Sequence, residues 1–125
     1  MTDSVLVAEH PAGDWVVGQL TLNVEKTLNS LTREMVDIIT DRLEAWAGDD
    51  NVVAVLIDGA GEKAFCAGGD VQALRNSCLE NPGGPCEYAE HFFAREYRMN
   101  YLLHTYRKPL ICWGHGVVMG GGLGI

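Results

Sequence analysis

The sequence predicts an α/β fold in which helices pack on a parallel sheet. Three segments carry this prediction. Residues 15–23 mostly alternate between inward apolar and outward side chains, with the two-residue period of a half-buried strand. Apolar residues then recur at helical spacing after Thr32. The continuous apolar run Val52–Ile57 is typical of a strand that is covered on both faces of a parallel sheet.

The first elements are two strands and a helix. Residues 4 to 9 are expected to pair with the strand at 15–23. Thr32 can cap the helix, because its hydroxyl can accept a hydrogen bond from a free N–H of the first turn, which also contains Glu34. The apolar stripe that should pack on the sheet consists of Met35, Ile38, Ile39, Leu43 and Trp46.

The middle of the chain is predicted to be mostly irregular. Residues 59–65 are interpreted as a loop, residues 71–75 as a short helix, and residues 77–85, which contain two prolines, as a second loop.

A long helix is predicted for residues 86 to about 106, which contain neither proline nor glycine. It should end at Lys108-Pro109, because the proline ring stops a helix and favours an extended start. Residues 110–113 then return to the sheet, and a glycine-rich turn opens a further helix that has barely begun at Ile125. We therefore expect the 125 residues to be part of a longer fold.

Charge and cysteine content narrow the classes of partner. The 17 acidic and 9 basic side chains give a formal charge of −8, which disfavours binding to nucleic acid or to anionic membranes, although Lys26 and Lys63 could still form a local cationic site. The four cysteines form no C-x-x-C pair and do not combine with the histidines at metal-ligand spacing, so no metal site is expected. The N-terminus shows no secretory signal pattern, and a reduced cytoplasmic setting is predicted.

Two glycine-rich segments, 64–70 and 119–122, each follow a predicted strand and precede a predicted helix. Such turns leave backbone N–H groups unpaired, and these groups can bind an anion. If adjacent strands place the turns side by side, one N–H from each could hold a developing oxyanion, an effect worth about 3 to 4 kcal/mol per donor. The alternative interpretation is a pair of packing turns, with Asp70 serving only as a helix cap.

The order and spacing of four segments resemble the crotonase superfamily: Leu20–Asn23, Leu28–Leu31, Ala64–Asp70, and Gly116–Gly124 after Lys108-Pro109. This resemblance implies a crotonase-like ββα spiral, with residues 1–125 as the N-terminal portion of a single acyl-CoA-binding domain. It also implies an acyl-CoA thioester substrate, with no cofactor beyond the CoA that the substrate carries.

The resemblance also implies roles for individual residues. The backbone N–H groups of Gly69 and Gly121 would form the oxyanion hole. The CoA moiety would lie near Lys26 and Leu28. It would also lie against the backbone of Ala67, Gly68 and Asp70.

Within the superfamily, the chain resembles 3-hydroxyisobutyryl-CoA hydrolases more than hydratases. Enoyl-CoA hydratases typically carry a catalytic glutamate three residues beyond the second oxyanion glycine, and here that position is Gly124. The segments Phe92–Asn100, Tyr106–Pro109 and Gly120–Gly124 look instead like those of the hydrolases.

Glu96 is the candidate for recognising the acyl group. It shares one helical face with Phe92, Met99 and Leu103, so a carboxylate is predicted within an apolar stripe. The resemblance to the hydrolases implies that Glu96 contacts the acyl hydroxyl group. The alternative is a side chain at the edge of the stripe that reaches solvent.

We therefore expect hydrolysis of a short branched hydroxyacyl-CoA of the 3-hydroxyisobutyryl type, as in valine catabolism. The alternatives are an enoyl-CoA hydratase or isomerase, and a non-catalytic CoA-binding fragment. In the resembled hydrolases the acid/base carboxylates lie downstream of the glycine helix, so these 125 residues alone are expected to be catalytically incomplete. The resemblance also implies a homo-oligomer, plausibly based on trimers, and it leaves the mitochondrial matrix open if the source is a eukaryote.

Overall fold

The computed structural model describes residues 3–125. The strands are β1 (Val5–Ala12), β2 (Trp15–Leu22), β3 (Val52–Gly59), β4 (Ala64–Cys66), β5 (Leu110–Cys112) and β6 (Val117–Val118). The helices are α1 (Arg33–Ala47), α2 (Val71–Glu80), α3 (Glu87–His104) and α4 (Gly121–Gly124), and a 3-10 turn covers Glu25–Thr27.

Four strands form the main sheet, in the order β1-β2-β3-β5. β1 and β2 pair as an antiparallel hairpin, with Val5 opposite Leu22, which confirms the pairing predicted for residues 4 to 9. β2 pairs parallel with β3, and β3 pairs parallel with β5. The chain therefore crosses over through α1 and later through α3, as expected for a parallel sheet.

Helix α1 covers one face of this sheet. The Thr32 hydroxyl accepts a hydrogen bond from the Met35 N–H at 3.2 Å, so the predicted cap is confirmed. The predicted stripe is buried except for Ile38, which is only partly covered. Val36 is buried in addition, because α1 also packs against α3 and its apolar face is wider than one stripe.

Helix α3 lies against α1 and buries the predicted face that contains Glu96. Two ion pairs at the surface join the helices: Arg95 contacts Asp37 at 2.6 Å, and Arg98 contacts Glu44 at 3.1 Å. Both pairs are well exposed, so they orient the helices more than they stabilise them.

Three predictions need correction. β3 is not covered on both faces, since Val53 is 38% exposed and only one face of the sheet meets α1. Ala64 and Phe65, at the end of the predicted loop 59–65, instead belong to β4, which is too short to show a period and is held by its parallel partner β6. α2 does not end at residue 75 but continues to Glu80, because no helix-breaking residue occurs before Pro82.

Candidate active site

The two glycine turns lie side by side. β4 and β6 form a separate two-stranded parallel sheet, with Ala64 beside Val117 and Cys66 beside Val118. Each turn begins where one of these two strands ends. The Met119 N–H donates to the Cys66 carbonyl at 3.1 Å and ties the second turn to the first. The two glycine turns are therefore adjacent, which was the condition that the sequence analysis set for an oxyanion site.

Each turn presents one free amide. Gly68 (φ 109°) and Gly120 (φ 51°) adopt backbone conformations that side chains disfavour, and each directly precedes a proposed oxyanion residue. Within residues 3–125, the N–H groups of Gly69 and Gly121 donate to no backbone carbonyl. A Cβ built on Gly121 would lie 3.5 Å from the Gly69 nitrogen, so the two glycines are next to each other across the turns.

Glu96 lies directly beside these amides. It is 4% exposed, and a Cβ built on Gly121 would overlap its Oε1 atom. Glu96 has no salt-bridge partner in the part of the chain that the structure describes. Burial raises the pKa of this carboxyl group. The prediction of a buried carboxylate is confirmed, and the alternative of a side chain reaching solvent is wrong.

The amides and Glu96 open into one cavity of about 350 Å³. Its remaining walls are largely apolar and come from α2 and α3. The lining residues are Gly69, Val71, Leu74, Phe93, Glu96, Tyr97, Asn100, Gly120, Gly121 and Gly124. A small apolar cavity with a few convergent polar groups is suited to a short acyl chain that carries a polar substituent.

Lys26 and Leu28 line a different cavity, of about 500 Å³, together with Lys63. Asn29 holds this loop in place: its Nδ2 donates to the carbonyls of Ala60 and Ala64, and its Oδ1 accepts from the Val24 N–H at 2.8 Å. Both Leu28 and Asn29 adopt positive φ, a conformation that Asn tolerates better than most residues.

The backbone at Ala67, Gly68 and Asp70 is already engaged within the protein. The Ala67 N–H donates to the Leu28 carbonyl at 3.0 Å, and the Asp70 N–H donates to the Leu31 carbonyl at 2.8 Å. The Asp70 carboxylate caps α2 by accepting from the Ala73 N–H at 3.3 Å. The capping interpretation of Asp70 is therefore confirmed. The Gly68 carbonyl accepts from the Leu31 N–H at 2.6 Å and the Asp70 carbonyl accepts from the Leu74 N–H at 3.3 Å, which leaves the Ala67 carbonyl without a backbone partner within residues 3–125.

Two histidine side chains contact backbone carbonyl groups. His115 contacts the Gly61 carbonyl at 2.8 Å, and His104 contacts the Gly124 carbonyl at 3.0 Å.

Residues 3–125 contain no cluster of three or more His, Cys, Asp or Glu side chains arranged to hold a metal ion. No helix in the same range has the length and apolar character needed to cross a membrane.

Most of the cavity wall was not predicted from the sequence. Val71 and Leu74 belong to α2, which was predicted as a helix without a functional role, while Phe93, Tyr97 and Asn100 lie on α3 near Glu96. The signal was available for Asn100, because it follows Glu96 by four residues and so lies on the same side of the helix.

Comparison with known proteins identifies the family. Residues 17–125 match the family described as enoyl-CoA hydratase/isomerase. The mitochondrial 3-hydroxyisobutyryl-CoA hydrolase of Danio rerio is 42% identical over 108 residues, which are 86% of this chain and 27% of that protein. Small ribosomal subunit protein mS47 of Neurospora crassa is 40% identical over 83% of this chain and 20% of its own length.

Among solved structures, a carnitinyl-CoA dehydratase from Mycobacterium thermoresistibile superposes with a TM-score of 0.86 at 45% identity. The match covers 98% of this chain and 34% of the dehydratase chain. The chain thus spans about a quarter of the length of the Danio rerio hydrolase and a third of that structure. The predicted crotonase-like fold is confirmed, and the chain belongs to the crotonase superfamily, in the enoyl-CoA hydratase/isomerase family.

Proposed function

We propose that this chain forms the oxyanion hole and acyl pocket of an acyl-CoA thioester hydrolase that acts on a short branched hydroxyacyl group. One observation carries the proposal: the free N–H groups of Gly69 and Gly121 lie beside the buried carboxylate of Glu96 in a single small cavity. The similarity to 3-hydroxyisobutyryl-CoA hydrolases supports the choice of substrate.

In this reaction a water oxygen attacks the thioester carbonyl carbon, and the carbonyl oxygen takes up negative charge. The N–H groups of Gly69 and Gly121 stabilise that charge, which is greater in the transition state than in the substrate. Collapse of the tetrahedral intermediate breaks the carbon–sulfur bond and releases CoA, whose sulfur takes a proton. The proton transfers need acid/base groups, which the resemblance to the hydrolases places after the glycine helix.

Glu96 is assigned to substrate recognition. As a carboxylate it accepts a hydrogen bond from the acyl hydroxyl group, and the apolar walls contributed by Val71, Leu74 and Phe93 enclose the branched carbon chain. An alkyl group without the hydroxyl would leave the buried carboxylate unpaired, which disfavours its binding.

The CoA moiety is assigned to the loop that contains Lys26 and Leu28. The cavity beside this loop is also lined by Lys63 and by the carboxylates of Glu25 and Glu62, so two ammonium groups could reach phosphate oxygens in a locally balanced charge environment. The Ala67 carbonyl would accept a hydrogen bond from the ligand, because the carbonyls of Gly68 and Asp70 are already used within the protein. Gly68 and Asp70 would contribute main-chain surface.

Two parallel assays on the protein isolated from its source test this proposal. Its intact mass, compared with the 13.6 kDa of these 125 residues, defines the chain that is assayed. We expect 3-hydroxyisobutyryl-CoA to release free thiol. Addition of water to an enoyl-CoA without thiol release would instead establish a hydratase, the alternative that similarity to the carnitinyl-CoA dehydratase supports.

The role of Glu96 has its own test. Glu96→Ala is expected to raise the KM for the hydroxyacyl thioester by about tenfold, because a hydrogen bond to a charged group is lost. Glu90→Ala is the matched control, since Glu90 is exposed on the same helix. An unchanged KM in Glu96→Ala would refute the assignment.

A non-catalytic role is a second candidate, favoured by the 40% identity to a protein whose name places it in a ribosomal subunit. It predicts acyl-CoA binding without turnover in either assay.

For localisation, the hydrolase relatives are named as mitochondrial, which supports the mitochondrial matrix and gives no support to the cytoplasmic expectation. Fractionation of source cells decides between the two.

A further inference from the structure

The acyl cavity contains a second polar side chain with no assigned partner. Asn100 lies four residues after Glu96 on α3, and both side chains line the same cavity. Within residues 3–125, the Oδ1 atom of Asn100 is fully buried and has no hydrogen-bond partner. A buried carbonyl oxygen without a partner costs about 1 to 3 kcal/mol, so its presence in a ligand cavity points to a ligand.

The position of Gly124 keeps Asn100 accessible to the cavity. A Cβ built on Gly124 would lie 3.3 Å from the Nδ2 atom of Asn100, so a side chain at this position would occupy the space beside the amide. Because residue 124 is glycine, no side chain at this position covers the amide of Asn100, which is a residue of the cavity wall.

We propose that Asn100 is a specificity-determining residue that binds the acyl hydroxyl group together with Glu96. A hydroxyl group has one proton to donate and lone pairs that accept, and an amide offers both a donor and an acceptor. A carboxylate and an amide can therefore satisfy the hydroxyl together, whereas either one alone leaves part of its hydrogen-bonding capacity unused. This inference rests on the proposed function for the identity of the acyl group.

The test uses non-hydrolysable CoA ketones, in which a methylene separates the sulfur from the carbonyl carbon. One analogue carries the 3-hydroxyisobutyryl group and the other the isobutyryl group. Calorimetric titration of the full protein gives the ratio of their dissociation constants. Wild type is expected to prefer the hydroxyl analogue, and Asn100→Leu, of similar volume, is expected to reduce this preference by about tenfold while retaining the isobutyryl analogue.

Two further measurements separate recognition from folding. Asn100→Leu is expected to have a Tm equal to or above that of wild type, since it removes a buried polar atom that lacks a partner. Tyr101→Phe is the control, because Tyr101 is 72% exposed on the same helix and its change should leave the preference unaltered.

The outcomes are distinct from those of the turnover assays. Equal weakening of both analogues in Asn100→Leu, or no preference in wild type, would overturn the role of Asn100. A hydroxyl preference that Asn100→Leu abolishes would support it even in a protein that shows no thioester hydrolysis, a result that would refute only the proposed hydrolase activity.

Discussion

At the scale of single residues, Glu96 is a buried acidic side chain that lies beside the second glycine turn. Its burial follows from helical spacing alone, because Phe92, Met99 and Leu103 define the face that packs inward. Its proximity to Gly121 could not be predicted from spacing, since it depends on how α3 lies against a glycine turn more than twenty residues away.

Replacing Glu96 should change how stability depends on pH. Burial raises the folded-state pKa above the unfolded value of about 4.3, so the folded protein binds the proton more tightly. The associated stability is present at low pH and is lost as pH rises through the folded pKa. Glu96→Gln should therefore have a higher Tm than wild type at pH 8 and a smaller advantage at pH 5. A Tm difference that does not vary with pH would contradict this account.

A methyl group on Gly121 should impair the site without preventing folding. In Gly121→Ala the new Cβ would overlap Glu96 Oε1 and lie 3.5 Å from the Gly69 nitrogen, so Glu96 must move and the oxyanion position is crowded. We expect kcat/KM for the hydroxyacyl thioester to fall by about a hundredfold. Gly48→Ala, where the nearest atom is 3.9 Å away, is the matched control and should retain wild-type kcat/KM. Comparable activity in both variants would count against the site.

At the scale of elements, the C-terminal end of α1 is stabilised from a distance. The last turn of α1 contains no basic residue, and the Lys108 ammonium group donates instead to the carbonyls of Trp46 and Asp49. A cation at a helix C-terminus also interacts favourably with the helix dipole. Lys108 thus closes α1 from the segment between the end of α3 at His104 and the start of β5 at Leu110.

Lys108→Met should lower the free energy of unfolding by about 1 kcal/mol, because the carbonyl contacts and the dipole interaction are lost while the aliphatic stem is kept. Urea denaturation measures the change. Arg107→Met removes an exposed neighbouring charge and should have almost no effect. If the two variants lost equal stability, net charge and not helix capping would be the cause.

Four long elements were predictable, and the two short strands that hold the glycine turns were not. Four elements span enough residues to show a period, and residues that break regular structure flank them: β2, α1, β3 and α3. β4 and β6 contain three and two residues, and only their pairing with each other defines them. The candidate site depends on these two strands, so its assembly followed from the family resemblance and not from local pattern.

At the scale of the whole molecule, large apolar side chains are exposed near the end of the chain. Trp113 is 68% exposed and Ile111 is 55% exposed on and beside β5, and Met119 and Leu123 are exposed in and after the second glycine turn. Large apolar side chains that are exposed along one segment of the chain commonly mark an interface.

We expect these residues to contribute to self-association, in line with the predicted homo-oligomer. Sedimentation velocity should show a species larger than the monomer, and Trp113→Ser should shift it towards the monomer. Trp15→Ser is the control, since Trp15 is 52% exposed at the β1–β2 turn, away from β5. A monomeric wild type, or equal effects of both changes, would exclude this surface as the interface.

The proposed oxyanion hole depends on the two glycine amides, and infrared spectroscopy of a bound ligand tests whether they donate hydrogen bonds to its carbonyl oxygen. The carbonyl carbon of the non-hydrolysable hydroxyacyl-CoA ketone is labelled with a heavy isotope, and its stretching band is compared in water and in the complex. Hydrogen bonds from Gly69 and Gly121 predict a shift to lower wavenumber on binding, and a smaller shift in Gly121→Ala. A bound ligand whose carbonyl band stays at its aqueous position or moves to higher wavenumber would show that these amides do not hold the oxygen.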